Sequence, residues 1–267
     1  MSVTIEQRTC PDNTAEELLV GVDRRGAVAY LTLNRPDKYN VLSHAMIASL
    51  RDALTRLASD PDVRVVVLGA EGKAFSAGHD LTEMGPGADV DDLRALFAAC
   101  TDLMLTIRHL PQPVIARVQG VATAAGCQLV AMCDLAIASS DARFAVSGIN
   151  LGLFCSTPSV ALSRNVSQKV ALEMLLTGEF IDAATARERG LVNRVVPLEL
   201  LDAEVDRLAA SIAGKSRAAI AAGKRLFYEQ LELPIGAAYA RASEVMACNA
   251  TFDDAREGIA RFTKRIR

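Results

Sequence analysis

The stretch VQGVATAAGCQLVAMCDLAIAS (118–139) decides how this chain is built. It reads as a strand ending near Val118, a tight turn of small residues from Ala122 to Cys127, and a helix opening on Gln128-Leu129-Val130-Ala131-Met132. Small residues at such a turn let a ligand approach the backbone, and the unpaired amides of a helix N-terminus attract negative charge. A second segment, FSAGHDL (75–81), follows a β-branched run ending at Leu68 and a Glu71-Gly72 turn, which places it in a loop at a strand's carboxyl end. Close packing explains either loop alone; the pair, in this order and context, points to a ligand site.

Working outward, strand-like runs Val28 to Leu33, Val63 to Leu68 and Pro113 to Val118 alternate with helical patterns over Ser43 to Ala58 and Asp89 to His109. Strands separated by crossover helices predict an α/β fold. Asn34-Arg35-Pro36 closes the first strand, Asp60-Pro61 ends the first helix, and Pro111 with Pro113 brackets the next strand. After about Leu198 the pattern becomes helix upon helix: Glu204 to Ala213, Ala218 to Glu229, Ile235 to Ala247 and Phe252 to Arg265. No low-complexity linker intervenes. We therefore expect residues 1–197 to form a core with an N-terminal extension, and 198–267 a helical part of the same unit.

With 267 residues, 51% hydrophobic and 23% charged, the chain has enough apolar content for one sizeable core. A net charge of -3 gives no global attraction to nucleic acid or to an anionic membrane, so neither is expected as a partner and any cationic site is local. The six cysteines, at 10, 100, 127, 133, 155 and 248, contain no CxxC pair, and the histidines show no ligand spacing. That argues against a metal site or disulfide framework and for a reduced, cytoplasmic compartment. MSVTIEQRTCPDNT (1–14) lacks the positive start and apolar block of a secretory leader, and no apolar run approaches membrane-spanning length.

FSAGHDLTEM (75–84), VQGVATAAGCQLVAMCDLAIAS (118–139) and MLLTGEFIDAATARERGLVNRVV (174–196) together resemble the crotonase, or enoyl-CoA hydratase/isomerase, family. The resemblance runs from about Val28 to the C-terminus. It implies a crotonase-like spiral of ββα units with a C-terminal helical trimerisation part, assembled as a homotrimer or a dimer of trimers. It also implies an acyl-CoA or enoyl-CoA partner, with coenzyme A entering as part of the thioester substrate and no tightly bound cofactor. Two backbone amides form an oxyanion hole in that family, and by motif position they belong here to His79 and Ala125. One such donor is typically worth about 3 kcal/mol to the transition state. Backbone around Ala77, His79 and Leu81 is expected to contact adenine and pantetheine. Lys38, Lys264 and Arg265 are candidates for the CoA phosphates, the last two reaching in from a neighbouring subunit.

The chain departs from the family where hydration needs its acid and base. The two glutamates of family hydratases fall on Gln128 and Gly148, and neither residue ionises near neutral pH. Losing a positioned general acid or base costs roughly a hundred- to ten-thousandfold each, so ordinary hydratase turnover is expected to be very slow. The alternative is a non-catalytic acyl-CoA-binding regulatory protein. Among other groups, the His79 side chain is the best substitute for the missing carboxylates. Asp80 is expected as a loop acceptor, Glu83 as a surface residue, and Asp134 as a structural hydrogen-bonding group. Cys127 and Cys155 are assigned to packing, Ser147, Ser156 and Thr157 to polar lining, and His44 and His109 to surface or packing. The pocket wall is expected from Asp89 to His109 and the C-terminal helices.

Overall fold

A computed structural model describes residues 18–266; Met1 to Glu17, with Cys10 and the whole stretch read for a leader, lies outside it, as does Arg267. The chain opens with a hairpin, β1 (Val20–Arg25) and β2 (Val28–Leu33), turned at Gly26 with φ +61° and followed by helix α1 (His44–Ser59). Three turns of one pattern come next. β3 (Val65–Ala70), β4 (Ala74–Ser76) and α2 (Val90–His109) form the first, and β5 (Val114–Val118), β6 (Val121–Thr123) and α3 (Ala125–Met132) the second. The third has β7 (Leu135–Ser139) and β8 (Arg143–Ala145), then α4 (Ser156–Leu162) and α5 (Gln168–Thr177). After β9 (Ile181–Asp182), α6 (Ala183–Glu188) and β10 (Arg194–Val196) the chain is helical: α7 (Leu201–Ala213), α8 (Arg217–Gln230), α9 (Ile235–Ala250) and α10 (Asp253–Ile266).

Each turn gives its first strand to one sheet and its second to another. The larger sheet runs β1-β2-β3-β5-β7-β10, parallel throughout except for the β1–β2 hairpin; the smaller runs β4-β6-β8-β9, with only β8–β9 antiparallel. This is the ββα spiral that the resemblance implies. β3 is buried along its whole length because both faces of the larger sheet are covered. Val66 and Leu68 point into the main core with α1 and α2, while Val65 and Val67 join Val28, Ile115 and Ile137 against Leu201, Val205 and Ala209 of α7. The period of two along the strand sorts the side chains into these two cores.

The expected central strands and helices are present, with differences at the edges. The run expected from Val63 pairs only from Val65; Val63 is buried, but it lies in the turn after α1. Neither β1 nor the three-residue strands of the smaller sheet announce themselves by pattern. Helix starts follow local chemistry: the Ser43 side chain accepts from the Met46 amide, and Asp89 forms a capping box with Asp92.

α7 packs onto the sheet as part of the core, whereas α8 to α10 project from it, with Ala238 the one residue of α9 that is buried. α8 is tied down by a buried polar cluster. Lys224 Nζ donates to Asp134 Oδ2 at 2.6 Å and to the carbonyls of Ile107 and Gln112, and Tyr228 donates to Asp134 Oδ1 at 2.8 Å. Asp134 also accepts from the Val114 amide at 2.7 Å, so its expected structural role is correct and joins β5, the start of β7 and α8. Burial raises the Asp134 carboxyl pKa and lowers that of Lys224, with the ion pair opposing both shifts.

Candidate active site

The parallel strands β4, β6 and β8 lie side by side, so the segments leaving their carboxyl ends converge: Ala77 to His79, Ala124 to Ala125, and Ser147 to Gly148. A cavity of about 480 Å³ opens there, lined by these segments, by Leu81 and Met84, by Phe97 of α2, and by Leu151 to Pro158. Ligand crevices in open α/β sheets form at this end of the strands. Parallel neighbours bring into contact three segments that lie tens of residues apart in the chain.

Two glycines hold the first two segments together. A Cβ on Gly78, which has φ +91°, would stand 2.9 Å from the Ala124 Cβ and 3.1 Å from the Ala125 nitrogen. One on Gly126 would stand 2.2 Å from the Ser76 carbonyl oxygen. The His79 and Ala125 amides thus sit on touching segments, and neither donates to a backbone acceptor among the described residues. Their neighbours are satisfied: Ala77 donates to Tyr39, Gly78 to Ser76 Oγ, and Ala124 to Ala145. Ala124 carries the turn into α3 at φ +50° and ψ -122°, a sparsely populated conformation for a residue with a Cβ.

Asn40 supports this geometry from outside the cavity. It is fully buried at φ +52°; its Oδ1 accepts from the Arg35 amide and its Nδ2 donates to the carbonyls of Glu71 and Ala74. Its own carbonyl accepts from Ser76 Oγ at 2.8 Å, and nearby Leu42 donates to the Gly78 carbonyl at 2.7 Å. The sequence reading passed over Asn40; the signal was an asparagine two residues beyond the Asn34-Arg35-Pro36-Asp37-Lys38 turn.

Gln128 and Gly148, on which the resemblance puts the glutamates of family hydratases, behave differently. Gly148 lines the cavity, but a Cβ there would stand 2.6 Å from the Leu153 carbonyl oxygen and 2.7 Å from Cys155 Sγ. The loop over residues 149–155 folds back onto Gly148, with Leu153 donating to its carbonyl at 3.0 Å and its amide donating to Cys155 Sγ at 3.3 Å. This position has no room for a side chain unless the loop moves. Gln128 is 5% exposed on α3 and is absent from the cavity wall, and its Oε1 is buried without a partner among the described residues.

His79 brings a ring to the wall, edge-on to Phe97 with centroids 5.4 Å apart. Its Nε2 is buried and unpartnered, and burial pushes its pKa down to about 4, against a smaller opposing pull from Glu83. The ring is neutral at pH 7. Asp80 is the expected loop acceptor, taking bonds from the Thr82 amide at 3.0 Å and hydroxyl at 2.7 Å. Ser147, Ser156 and Thr157 line the cavity as expected, and Ser147 shares a 2.8 Å hydrogen bond with Thr123, which the sequence reading missed.

Other expectations need correcting. Glu83 caps α1, accepting from the His44 amide at 2.9 Å and lying 3.2 Å from its Nδ1. The wall takes Phe97 from α2, but in the single chain α7 to α10 contribute nothing to it; the loop over 151–158 does instead. Cys127 is buried in the core, as its assignment to packing expects, and burial pushes its thiol up to about 12. Ala77 and Leu81 line the cavity; Lys38 is exposed at the end of the 3₁₀ turn Pro36–Lys38, and Lys264 and Arg265 lie exposed in the last turn of α10, away from the wall. Among the described residues no His, Cys, Asp and Glu cluster is suited to a metal, and no helix is long and apolar enough to cross a membrane.

Comparison with known proteins agrees with this architecture. The sequence profile of the enoyl-CoA hydratase/isomerase family matches residues 23–267. A crystal structure of an enoyl-CoA hydratase from Mycobacterium smegmatis is 58% identical, with a TM-score of 0.91, and the match covers 92% of this chain and 96% of that one. That of human enoyl-CoA hydratase domain-containing protein 3 is 44% identical, with a TM-score of 0.90 and coverage of 92% and 98%. Enoyl-CoA hydratase domain-containing protein 3, mitochondrial, from Rattus norvegicus is 45% identical over 95% of this chain and 84% of its own length. The names of this relative and of its mouse, frog and human counterparts place them in mitochondria, which overturns the cytoplasmic expectation. The spacing of cysteines, on which that expectation rested, does not distinguish one reducing compartment from another. By the spiral, the converging strand ends and these matches, the chain belongs to the enoyl-CoA hydratase/isomerase, or crotonase, family.

Proposed function

We propose that the chain binds an acyl-CoA thioester with its carbonyl oxygen between the amides of His79 and Ala125, and that it is a poor catalyst of ordinary hydration. The observation that carries this reading is the pair of amides without backbone acceptors on touching segments at the cavity. Two donors fixed in advance stabilise negative charge developing on that oxygen, which is what an enolate requires. Ala77 and Leu81 line the approach for pantetheine, and Lys38 offers a charge to the CoA phosphates. Coenzyme A enters with the substrate and is not a resident cofactor. Exposed apolar residues on α8 to α10, among them Phe227, Ile235, Tyr239 and Met246, support burial of these helices between subunits of a homotrimer or a dimer of trimers. Such packing would also carry Lys264 and Arg265 toward a neighbour's phosphate site.

Hydration additionally needs a group to deprotonate water and one to protonate the α-carbon. Gln128 and Gly148 supply neither. Asp80 is the one carboxylate in the wall, and its Oδ1 is engaged by Thr82. His79, the remaining candidate, is a weak base at the acidity burial gives it. This shortage also supports a second reading, a non-catalytic acyl-CoA-binding regulatory protein. The two are separated by following crotonyl-CoA hydration through loss of enoyl absorbance, beside a titration of binding. Tight binding without turnover supports the proposal and leaves enolate chemistry or regulation as its use. Turnover at ordinary enzyme rates refutes the claim of poor hydration, and absence of binding refutes the site.

A further inference from the structure

Building on the acyl-thioester reading, we infer that the cavity selects an uncharged acyl chain and rejects one ending in a second carboxylate. No lysine or arginine lines the wall among the described residues. An acyl group growing from the His79 and Ala125 amides is met by Leu151, Leu153, Phe154, Pro158 and Phe97, none of which donates to an anion from its side chain.

Most of the polar groups that remain are committed or of the wrong sign, and the two exceptions, the unpartnered His79 ring and the Thr157 hydroxyl, are uncharged. Asp80 Oδ1 is held by the Thr82 amide and hydroxyl, and its negative charge repels another carboxylate. Ser147 shares its hydrogen bond with Thr123 at 2.8 Å, and the Gly148 amide is directed to Cys155 Sγ at 3.3 Å. The Ala125 amide at the start of α3 is reserved in this reading for the thioester oxygen. A terminal carboxylate would give up water without gaining a cation, and two neutral groups do not replace one, so burying it is unfavourable. A methyl end loses nothing and gains contact with the same leucines and phenylalanines.

A matched pair of six-carbon thioesters, hexanoyl-CoA and adipyl-CoA, tests this by isothermal titration of the full chain, with free CoA as reference. Hexanoyl-CoA is expected to bind at least about tenfold more tightly than adipyl-CoA, a modest fraction of the penalty for an unpaired buried carboxylate. Equal binding, or tighter binding of adipyl-CoA, overturns the inference and leaves the thioester site standing. Failure of both thioesters to bind overturns the site itself. A Leu153→Arg variant, at a wall position 46% exposed and so tolerant of a long side chain, supplies the missing cation. It is expected to raise adipyl-CoA affinity relative to hexanoyl-CoA; an unaltered ratio in a variant that still binds CoA counts against the charge-free wall as the discriminator.

Discussion

Replacing Gly148 by alanine tests whether the loop over 149–155 leaves room for any side chain at this position. Gly148 does not adopt a left-handed backbone, so the cost is one of room: the new Cβ would stand 2.6 Å from the Leu153 carbonyl oxygen and 2.7 Å from Cys155 Sγ. Neither neighbour is a flexible side-chain tip. The first is backbone whose own amide is bonded to the Gly148 carbonyl, and the second accepts from the Gly148 amide. Overpacking of this kind costs about 1–3 kcal/mol, which at about 2–4 °C per kcal/mol for a chain near this size lowers the Tm by about 2–12 °C. Glutamate adds four further heavy atoms and a charge to the same space, so the double variant Gln128→Glu, Gly148→Glu is expected to lose stability without gaining crotonyl-CoA hydration. The assay is thermal unfolding followed by circular dichroism on the parent, Gly148→Ala, Cys155→Ala and the double alanine variant. Cys155→Ala removes one of the two clashes, so the double variant is expected to recover part of the loss as a coupling of about 0.5–1 kcal/mol. A Gly148→Ala Tm within a degree of the parent, or full hydratase activity in the double glutamate variant, refutes the argument that the loop has closed over this position.

Four further outcomes follow from the same contacts. Asn40→Ala strips partners from the Arg35 amide and from the carbonyls of Glu71 and Ala74, a loss of about 2–4 kcal/mol in urea unfolding, with weaker thioester binding because the segment carrying His79 loses its support. Ala124→Gly relieves a positive φ and is expected to stabilise by about 1 kcal/mol after the entropy of glycine is subtracted, measured in the same way. Lys224→Met leaves Asp134 buried beside Tyr228 without its cation, at a cost of about 3–5 kcal/mol; an unchanged unfolding midpoint would show that α8 does not depend on this pair. His79 has a folded pKa of about 4 against an ordinary 6.5, so the unfolded chain binds a proton in that window and the folded chain does not. Its contribution is fully present above about pH 6.5 and is lost as the pH falls toward 4, by about 2–3 kcal/mol, and the stability gap between parent and His79→Phe should shrink accordingly.

Local chemistry fixed the frame. Alternating β-branched runs and crossover helices determined an α/β core, because patterns of period 2 and 3.6 record which faces meet apolar neighbours. The small residues of 75–81 and 122–127 marked the two loops, since only such residues permit the contacts seen at Gly78 and Gly126. The shorter strands of the smaller sheet were not legible, because three residues are too few to express a period and their pairing is entirely non-local. The site was only half readable for the same reason. His79, Ala125, Ala77, Leu81 and Gly148 are brought to one cavity, but the sequence alone could not show that Gln128 is withdrawn from its wall, that Asn40 braces it, or that Leu151 to Pro158 rather than the C-terminal helices enclose it. The sequence by itself determined where the two small-residue loops fall and that Gln128 and Gly148 carry no carboxylate. The tertiary structure decided whether there is room for a side chain at Gly148, because its distance to Leu153 and Cys155 depends on how a loop returns to the sheet, which no run of neighbouring residues encodes.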